Sequence, residues 1–363
     1  MTPPTLSLSL RTVPLLLAAL LASCGGGSED SGGASSNTPY QGTLLNGTNC
    51  TVRYYAQSQP SQRAGTDPLY LTQWYLKNTG RLTGYSGLAA GEDLQVENVW
   101  ASGLRGENIR VAVVDDALEV THQDLAPNVV EGASYNYVSD GSWQRGSPWP
   151  LPCTSSQTHG TAVGGVVAAR DSNGLGGRGV APRASLVGYN ALANDLDSEV
   201  LDALVRDQGK NHIYNNSWGA EDDGHFNTPA SRSAQVGTIL NGLRNGRNGL
   251  GSIYTFAGGN GGANGDYSVL DGNVSMLGAI PVCGTNAAGK RAPYSEPGPN
   301  LIVCAPSSDV GQAKGSSLPD VTTTTLQNQY TAKFNGTSAA TPMISGVIAL
   351  MLQANPNLTW RDV

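Results

Sequence analysis

Ser338 is the residue whose surroundings most suggest chemistry. It lies in the segment FNGTSAATPMISGVIALML, between a Gly-Thr pair and two alanines. Apolar residues recur after it at three- and four-residue steps, which predicts a buried helix that begins here, with Pro342 tolerated in the first turn. The positive end of the helix dipole favours a nucleophile whose reaction develops negative charge. The alternative is an ordinary helix cap, in which the hydroxyl accepts a backbone N–H.

Three further segments could complete a site around this serine. Asp115 follows the apolar run VAVV, His159 opens the segment HGTAVGGVVAA, and Asn260 lies in the glycine-rich AGGNGG. A carboxylate can orient an imidazole base, the base can take the serine proton, and a side-chain amide can donate to an oxyanion. Taken singly, each residue could instead belong to a turn or a helix start. Their joint occurrence favours nucleophilic acyl transfer.

The elements that must position these residues alternate along the chain. Short apolar runs predict strands at NIRVAVVDD, ASLVGYNAL, NHIYNNSWG and GSIYTFAGGNGG, and helices at HGTAVGGVVAAR, DSEVLDALVRD and PASRSAQVGTILNGLRNGRN. Such alternation predicts an α/β protein with a mostly parallel sheet and helices on both faces. In these sheets the functional groups gather at the carboxyl ends of the strands, where we expect Asp115, Asn216 and Asn260.

The composition is that of a globular protein. The chain has 363 residues, of which 39% are hydrophobic and 47 are glycine, and its net charge is −7. These values allow a sizeable core with many tight turns. The negative charge and the lack of basic runs argue against nucleic acid as a partner, and they suit a site that attracts cationic substrates.

The N-terminal segment RTVPLLLAALLASC has the features of a targeting signal. Its apolar run is too short to span a bilayer, and its end resembles a bacterial lipobox with Cys24 as the lipidated residue. The alternative is an ordinary secretory signal. We expect a signal peptide over 1–24, a flexible linker and irregular segment over 25–66, and the main domain over 67–363. The protein would be exported and membrane-anchored, in the periplasm or at the cell surface, and Gly25 favours the outer membrane.

Four cysteines remain after Cys24. An even count in an exported chain suggests disulfides. Cys283 and Cys304 end two apolar runs that could be neighbouring strands, so we pair them, which leaves Cys50 with Cys153. Sequence alone allows three pairings. Because no two cysteines have a C-x-x-C spacing, we do not expect them to bind a metal.

The four motifs, in the order Asp, His, Asn, Ser, resemble the subtilisin-like serine proteases over 67–363. The resemblance implies the three-layer α/β fold of that family. It also implies that Ser338 attacks a peptide carbonyl and that His159 acts as the base. Asp115 would orient the imidazole, and the side chain of Asn260 would form an oxyanion hole with the Ser338 backbone N–H.

A narrower resemblance is to the kexin/furin branch. It rests on DPLYLTQWYL, SWGAEDDGH, NGLGSIYTFAGGNGG, YSE, ANPNLTWRDV and the doubled Asp115-Asp116. It implies cleavage after Arg or Lys, with a substrate-binding set of Asp116, Asp222, Asp271, Ser217 and Gly219. Carboxylates suit a pocket for such side chains. Because YNALANDLDSE lacks a clear match to a second acid of this branch, we expect a weaker preference for a second basic residue, supported mainly by Asp116.

The same resemblance implies two Ca²⁺ sites. One lies beside the substrate pocket, with Asp222, Asp266 and Glu296 as ligands; oxygen ligands suit Ca²⁺, and without a cation three converging carboxylates would raise one another's pKa. The alternative for these acids is a solvated loop. The other site would tie the N-terminal arm to the loop AARDSNGLGG, with ligands from Asp67, Asp124, Arg170, Asn173, Leu175 and Gly177.

The expected partners follow from these assignments. They are protein or peptide substrates, the membrane through a lipid anchor, and a separate folding partner, because no recognisable inhibitory pro-domain precedes residue 67. Kexin-like enzymes continue beyond the position of LTWRDV, so we expect the domain to be truncated at its C-terminus. The alternatives are a broad-specificity subtilisin-like protease and an inactive protease-fold binding module.

Overall fold

The computed structural model describes residues 44–45, 47–54, 64–139, 144–225, 232–309 and 317–363. The predicted signal peptide, Cys24 and most of the predicted linker lie outside the described residues.

A six-stranded parallel sheet is the centre of the described fold. Its strands, in chain order, are β1 Arg110–Val114, β2 Ser185–Tyr189, β3 Ile213–Asn216, β4 Ile253–Ala257, β5 Ala279–Thr285 and β6 Val303–Pro306. Their spatial order is β2-β1-β3-β4-β5-β6, and every neighbouring pair is parallel. A separate antiparallel pair consists of β7 Val321–Thr324 and β8 Tyr330–Phe334. The predicted parallel sheet is therefore confirmed.

Helices cover both faces of this sheet, which makes three layers. The α-helices are α1 Glu97–Ala101, α2 His159–Ala168, α3 Asp197–Ala203, α4 Arg232–Asn245 and α5 Thr337–Ala354. Short 3₁₀ segments occur at Tyr70–Thr72, Ala126–Asn128, Gly246–Gly249, Gly262–Asn264 and Ser268–Leu270. One buried cluster includes Val163 of α2 and Met343 of α5, and a second on the other face includes Ile239 of α4. The predicted α/β architecture is confirmed.

Helix α5 begins where the sequence predicts, and it differs from the prediction in the position of Pro342. Ser338 is its second residue and makes no cap, because the N-cap is Gly336 with a φ of 79° and no side-chain cap bond. Pro342 is inside the helix and not in the first turn, so the carbonyl of Ser338 lacks the N–H donor four residues on. Among the described residues α5 is the one helix long and apolar enough to cross a membrane, and since 72% of that stretch is buried it is a core helix.

Both predicted disulfides are present, and one of them changes the domain boundary. Cys50 bonds to Cys153, and Cys283 bonds to Cys304 across the neighbouring strands β5 and β6. Cys50, Val52 and Tyr54 are buried in the main core. The compact unit therefore begins before the predicted start at residue 67, since the disulfide and these apolar side chains hold residues 47–54 on the domain.

Candidate active site

Asp115 and His159 meet at the carboxyl end of β1. Asp115 directly follows the strand, and its backbone N–H donates to the carbonyl of Tyr189 on β2. Its buried side chain places Oδ1 2.8 Å from Nδ1 of His159, the first residue of α2. A Cβ at Gly160 would lie 1.9 Å from the carbonyl oxygen of Ala117, so only glycine lets α2 start this close to the strand.

The His159 imidazole is held by a carboxylate and by an aromatic ring. With Nδ1 donating to Asp115, the imidazole keeps Nε2 as the atom that accepts a proton. The ring of Phe334 contacts the imidazole edge-on, with ring centres 5.5 Å apart. Burial alone would lower the pKa of His159, but the carboxylates of Asp115 and Asp116 outweigh it and raise the pKa to about 9.

Ser338 lies at the start of α5, next to the carboxyl end of β3. Its Oγ donates a 2.9 Å hydrogen bond to the carbonyl of Ser217, just after β3. The hydroxyl has one proton, so it would have to turn away from Ser217 before it could donate to another acceptor. A buried chain of hydrogen bonds from Thr255 through Ser345 and Asn215 to Ser217 ties α5 to β4 and β3.

Asn260 is held by hydrogen bonds to Thr337 and to Asp222. Its Oδ1 accepts from the backbone N–H of Thr337 at 2.8 Å and from the Thr337 hydroxyl at 3.0 Å. Its backbone N–H donates to Oδ1 of Asp222 at 2.9 Å. Because the oxygen of the amide faces Thr337, the Nδ2 group is left to donate to a ligand beside Ser338.

Asp116, also predicted to bind substrate, contacts the start of α2. Its carboxylate accepts from the backbone N–H groups of Gly160 at 2.9 Å and His159 at 3.3 Å, so it serves the N-terminus of α2. Burial, and then the charge of Asp115, raise the pKa of Asp116 above the usual range, against the opposing effect of these N–H donors.

The other predicted substrate acids line one small pocket, which we call the acidic pocket. Its lining residues are Ala220, Glu221, Asp222, His225, Gly259, Asp266, Asp271 and Glu296. Asp271 is buried, and its Oδ2 accepts from the Ala220 backbone N–H at 3.1 Å while Oδ1 accepts from Asn273 at 2.6 Å. A Cβ at Gly219 would lie 2.9 Å from Asp271 Oδ2, so glycine leaves room for this carboxylate. Asp222 is exposed at the mouth.

Asp222, Asp266 and Glu296, the predicted ligands of the Ca²⁺ ion beside the substrate pocket, all line the acidic pocket. Each of these carboxylates also accepts a hydrogen bond from a backbone N–H. Burial raises the pKa of Glu296, and the charges of Asp266 and Asp222 add to that effect. Within the described ranges, no group of three or more His, Cys, Asp or Glu side chains is arranged to hold a metal ion. A cation here would require the three carboxylates to turn towards a common point.

The second predicted set meets where the N-terminal arm crosses the loop over 170–177. We call Asp67, Asp124 and Asn173, all buried, the arm site. Asn173 Nδ2 donates to Asp124 Oδ1 at 2.7 Å, and the Asn173 backbone N–H donates to Asp67 Oδ1 at 3.3 Å. Asp124 Oδ2 is buried without a hydrogen-bond donor, and burial raises the pKa of Asp124 to about 7. An orphaned buried carboxylate oxygen fits a cation ligand.

The backbone ligands predicted for this site lie on the same loop. The N–H of Arg170 donates to the carbonyl of Asp124, and the N–H of Leu175 donates to Asn173 Oδ1. Gly177 lies against the side chain of Gln73, which a Cβ would approach to 2.5 Å. All six predicted contributors therefore belong to one neighbourhood, with Asn173 Oδ1 engaged by its own loop.

The sequence analysis missed three residues of these sites. Thr337 holds Asn260, Phe334 contacts His159, and Arg178 pairs with Asp67. The first two lie within four positions of Ser338, and Arg178 directly follows the predicted ligand Gly177, so proximity in sequence was a usable signal for all three.

Comparisons with known proteins agree with this geometry. A model of the subtilase family, peptidase S8, matches residues 106–363. Neuroendocrine convertase 2 of Caenorhabditis elegans is 38% identical over 306 residues, which cover 82% of this chain and 44% of that protein. The dibasic-processing endoprotease of Schizosaccharomyces pombe is 38% identical over 301 residues, covering 82% of this chain and 39% of that protein. This chain thus spans less than half the length of either relative.

A solved structure is also similar. The serine protease of Aeromonas sobria, crystallised in complex with the chaperone ORF2, superposes with a TM-score of 0.70 at 29% sequence identity. The match covers 82% of this chain and 56% of that chain.

Proposed function

Because this chain belongs to the subtilase family of peptidases, we propose that it is a serine endopeptidase that cuts proteins or peptides after arginine or lysine. The observation that carries the proposal is the 2.8 Å contact between Asp115 and His159 at the sheet edge where Ser338 and Asn260 also lie. An acid, a base, a nucleophile and an amide donor are the parts that acyl transfer requires.

The proposed reaction begins with rotation of the Ser338 hydroxyl from Ser217 to His159 Nε2. The oxygen attacks the substrate carbonyl while His159 takes the proton, and Asp115 stabilises the imidazolium. The oxyanion accepts hydrogen bonds from Asn260 Nδ2 and the Ser338 backbone N–H. Collapse of this intermediate breaks the peptide C–N bond, and His159 gives the proton to the leaving amine. Water then releases the acyl group by the same steps.

Selectivity for a basic residue before the cut rests on the acidic pocket. Asp271 is buried at its base and Asp222 stands at its mouth, so a guanidinium or ammonium group entering it would find charged acceptors. The name of the Schizosaccharomyces pombe relative, a dibasic-processing endoprotease, supports this class of substrate. We expect a second basic residue to matter less, because the Asp116 carboxylate is engaged by the start of α2.

Calcium dependence is part of the proposal. The arm site would hold one ion through Asp67, Asp124 and Asn173, supported by the unpartnered Asp124 Oδ2. The acidic pocket would hold another through Asp222, Asp266 and Glu296, supported by the raised pKa of Glu296. When bound, Ca²⁺ supplies positive charge that stabilises converging carboxylates and does no chemistry on the substrate. The ligand residues themselves fix the arm and the pocket wall.

Two further proposals concern the whole protein. We propose export and a lipid anchor at Cys24, on the basis of the sequence LASC after a short apolar run. We also propose a separate folding partner, which the chaperone complex of the Aeromonas sobria protease supports. If the protein partitions into the detergent phase and the Cys24→Ala variant does not, the anchor is supported. If the Cys24→Ala variant partitions like the parent, the anchor is ruled out.

The test of the proposed activity compares small amide substrates with arginine and with phenylalanine before the cut. We expect the protein to cleave the arginine substrate. EDTA should remove this activity, added Ca²⁺ should restore it, and the Ser338→Ala change should abolish it. Equal cleavage of both substrates would instead make the protein a broad-specificity subtilase. Cleavage that survives the Ser338→Ala change would overturn the serine mechanism.

A further inference from the structure

Arg178 lies in the arm site together with the predicted calcium ligands. Its Nη2 is 2.6 Å from Oδ2 of Asp67. The Arg178 side chain is 17% exposed and that of Asp67 is fully buried, so this ion pair is shielded from solvent. A guanidinium here supplies the positive charge that a bound cation would otherwise supply to Asp67.

The guanidinium is also fixed in place by aromatic rings. It lies over the ring of Tyr70, 4.2 Å from its centre, and 5.5 Å from the ring of Trp100. The Tyr70 hydroxyl donates to Glu97, whose carboxylate also pairs with Lys77. Because this packing leaves Arg178 little freedom to swing away, the charge stays beside Asp67.

The arm does not depend on a cation for its backbone contacts. Gly65 donates to the carbonyl of Ser172 at 3.2 Å, and Leu69 donates to the carbonyl of Gly176 at 2.7 Å. Neither Asp67 Oδ2 nor Asp124 Oδ2 accepts a well-directed hydrogen bond, but Asp67 Oδ2 has the Arg178 guanidinium 2.6 Å away and Asp124 Oδ2 has no such partner. The arm site therefore consists of one carboxylate neutralised by an arginine and one that is incompletely satisfied.

We propose that Arg178 is an internal cation that holds Asp67 in the arm site and competes there with Ca²⁺. This inference rests on the proposed calcium site. It predicts that the arm stays docked without calcium and that the site binds calcium weakly. A fixed unit charge about 5 Å from a divalent ion lowers its affinity by roughly tenfold even with the screening of water.

The test uses Arg178→Met in a Ser338→Ala background, which prevents self-digestion and makes every measurement independent of activity. Methionine keeps apolar contact with Tyr70 and removes the charge. The matched control is Arg145→Met, since Arg145 also pairs with a buried carboxylate, Glu199, and lies over an aromatic ring, Tyr137. Calcium affinity is measured by calorimetry, and Asp124→Asn identifies which binding event belongs to the arm site.

We expect Arg178→Met to bind Ca²⁺ at the arm site at least about tenfold more tightly than the parent, and Arg145→Met to match the parent. In EDTA, Arg178→Met should unfold at a lower temperature and be cut faster by added protease near residues 64–67, and Ca²⁺ should reverse both effects. Equal affinities in Arg178→Met and the parent would overturn the inference while leaving the proposed calcium site intact. If neither protein has a binding event that Asp124→Asn removes, the proposed calcium site itself fails, and the inference fails with it.

Discussion

The side-chain oxygen of Asn260 accepts hydrogen bonds from both the backbone N–H and the hydroxyl of Thr337, at 2.8 and 3.0 Å. Thr337 immediately precedes Ser338, so this double contact connects the glycine loop after β4 to the start of α5. It also decides the orientation of the amide, because the oxygen is engaged and Nδ2 faces the other way. The pair therefore sets where an oxyanion could be stabilised.

Asn260→Asp should lower kcat by about 100- to 1000-fold with little change in KM. Aspartate keeps an oxygen for Thr337 but replaces the Nδ2 donor by a negative charge. Steady-state kinetics on the arginine amide would measure the effect. Thr337→Val is the control, since it removes only the hydroxyl contact; a similar loss in this variant would mean that Asn260 acts by holding the helix.

Asp115→Asn should lower kcat by about 10⁴-fold. An amide can donate its N–H to His159 Nδ1, which would place the imidazole proton on Nε2 and leave no base for Ser338. The thermal midpoint should be measured alongside the kinetics to show that the variant is folded. A loss of less than tenfold in a folded variant would rule out this role for Asp115.

Asp116→Asn should extend activity to lower pH. The charges of Asp115 and Asp116 raise the pKa of His159 to about 9, so removing one of them lowers that pKa. Because the base works when neutral, the acidic limb of kcat/KM should move down by roughly 0.5–1 pH unit. The control is Glu131→Gln, which removes a charge from an exposed residue and should leave the acidic limb of kcat/KM unchanged. A shift to higher pH in Asp116→Asn would contradict this electrostatic account.

Asp271→Asn should lower kcat/KM for the arginine substrate by about 100-fold or more and leave a phenylalanine substrate almost unaffected. Asparagine keeps the size of the side chain and an acceptor for the Ala220 backbone N–H, but it loses the charge opposite the guanidinium. The control is Glu221→Gln, which changes an exposed acid of the same pocket and should lower kcat/KM for the arginine substrate less than tenfold. Equal losses on both substrates would point to a misfolded pocket.

Removal of the Cys50–Cys153 disulfide should destabilise the domain more than removal of Cys283–Cys304. The two bonds close loops with sequence separations of 103 and 21 residues. The chain-entropy relation gives losses of roughly 5 and 3 kcal/mol in the free energy of unfolding. Urea unfolding of the paired Cys→Ser variants, in a Ser338→Ala background, would measure both. The reverse order would show that native contacts outweigh loop entropy here.

Sequence reasoning reached those parts of the site that depend on short-range patterns. Apolar runs followed by Asp115, Asn216 and Asn260 predict strand ends because period and burial are local properties. Parallel strands share one functional edge, so these residues had to lie near one another. The cysteine count predicted two disulfides and two apolar runs favoured pairing Cys283 with Cys304, but only the structure selects among the three possible pairings.

Other features depend on which groups meet across long sequence separations. The hydroxyl of Ser338 donates to the carbonyl of Ser217, 121 residues away in the chain, whereas the motif predicts His159 as its partner. The Asp116 carboxylate accepts a hydrogen bond from the backbone N–H of Gly160, 44 residues on, because the first N–H groups of α2 have no acceptor within the helix.

The sequence by itself determined the fold class, the strands and helices that lead to the candidate catalytic residues, and the identities of those residues. Only the tertiary structure decided that residues 47–54 pack on the domain, that Thr337 orients Asn260 and that Arg178 shares the arm site with Asp67. The physical reason is that periodicity and turn preferences act over a few residues. The direction of a hydroxyl proton, an amide or a guanidinium depends on partners that only the completed fold brings within hydrogen-bonding distance.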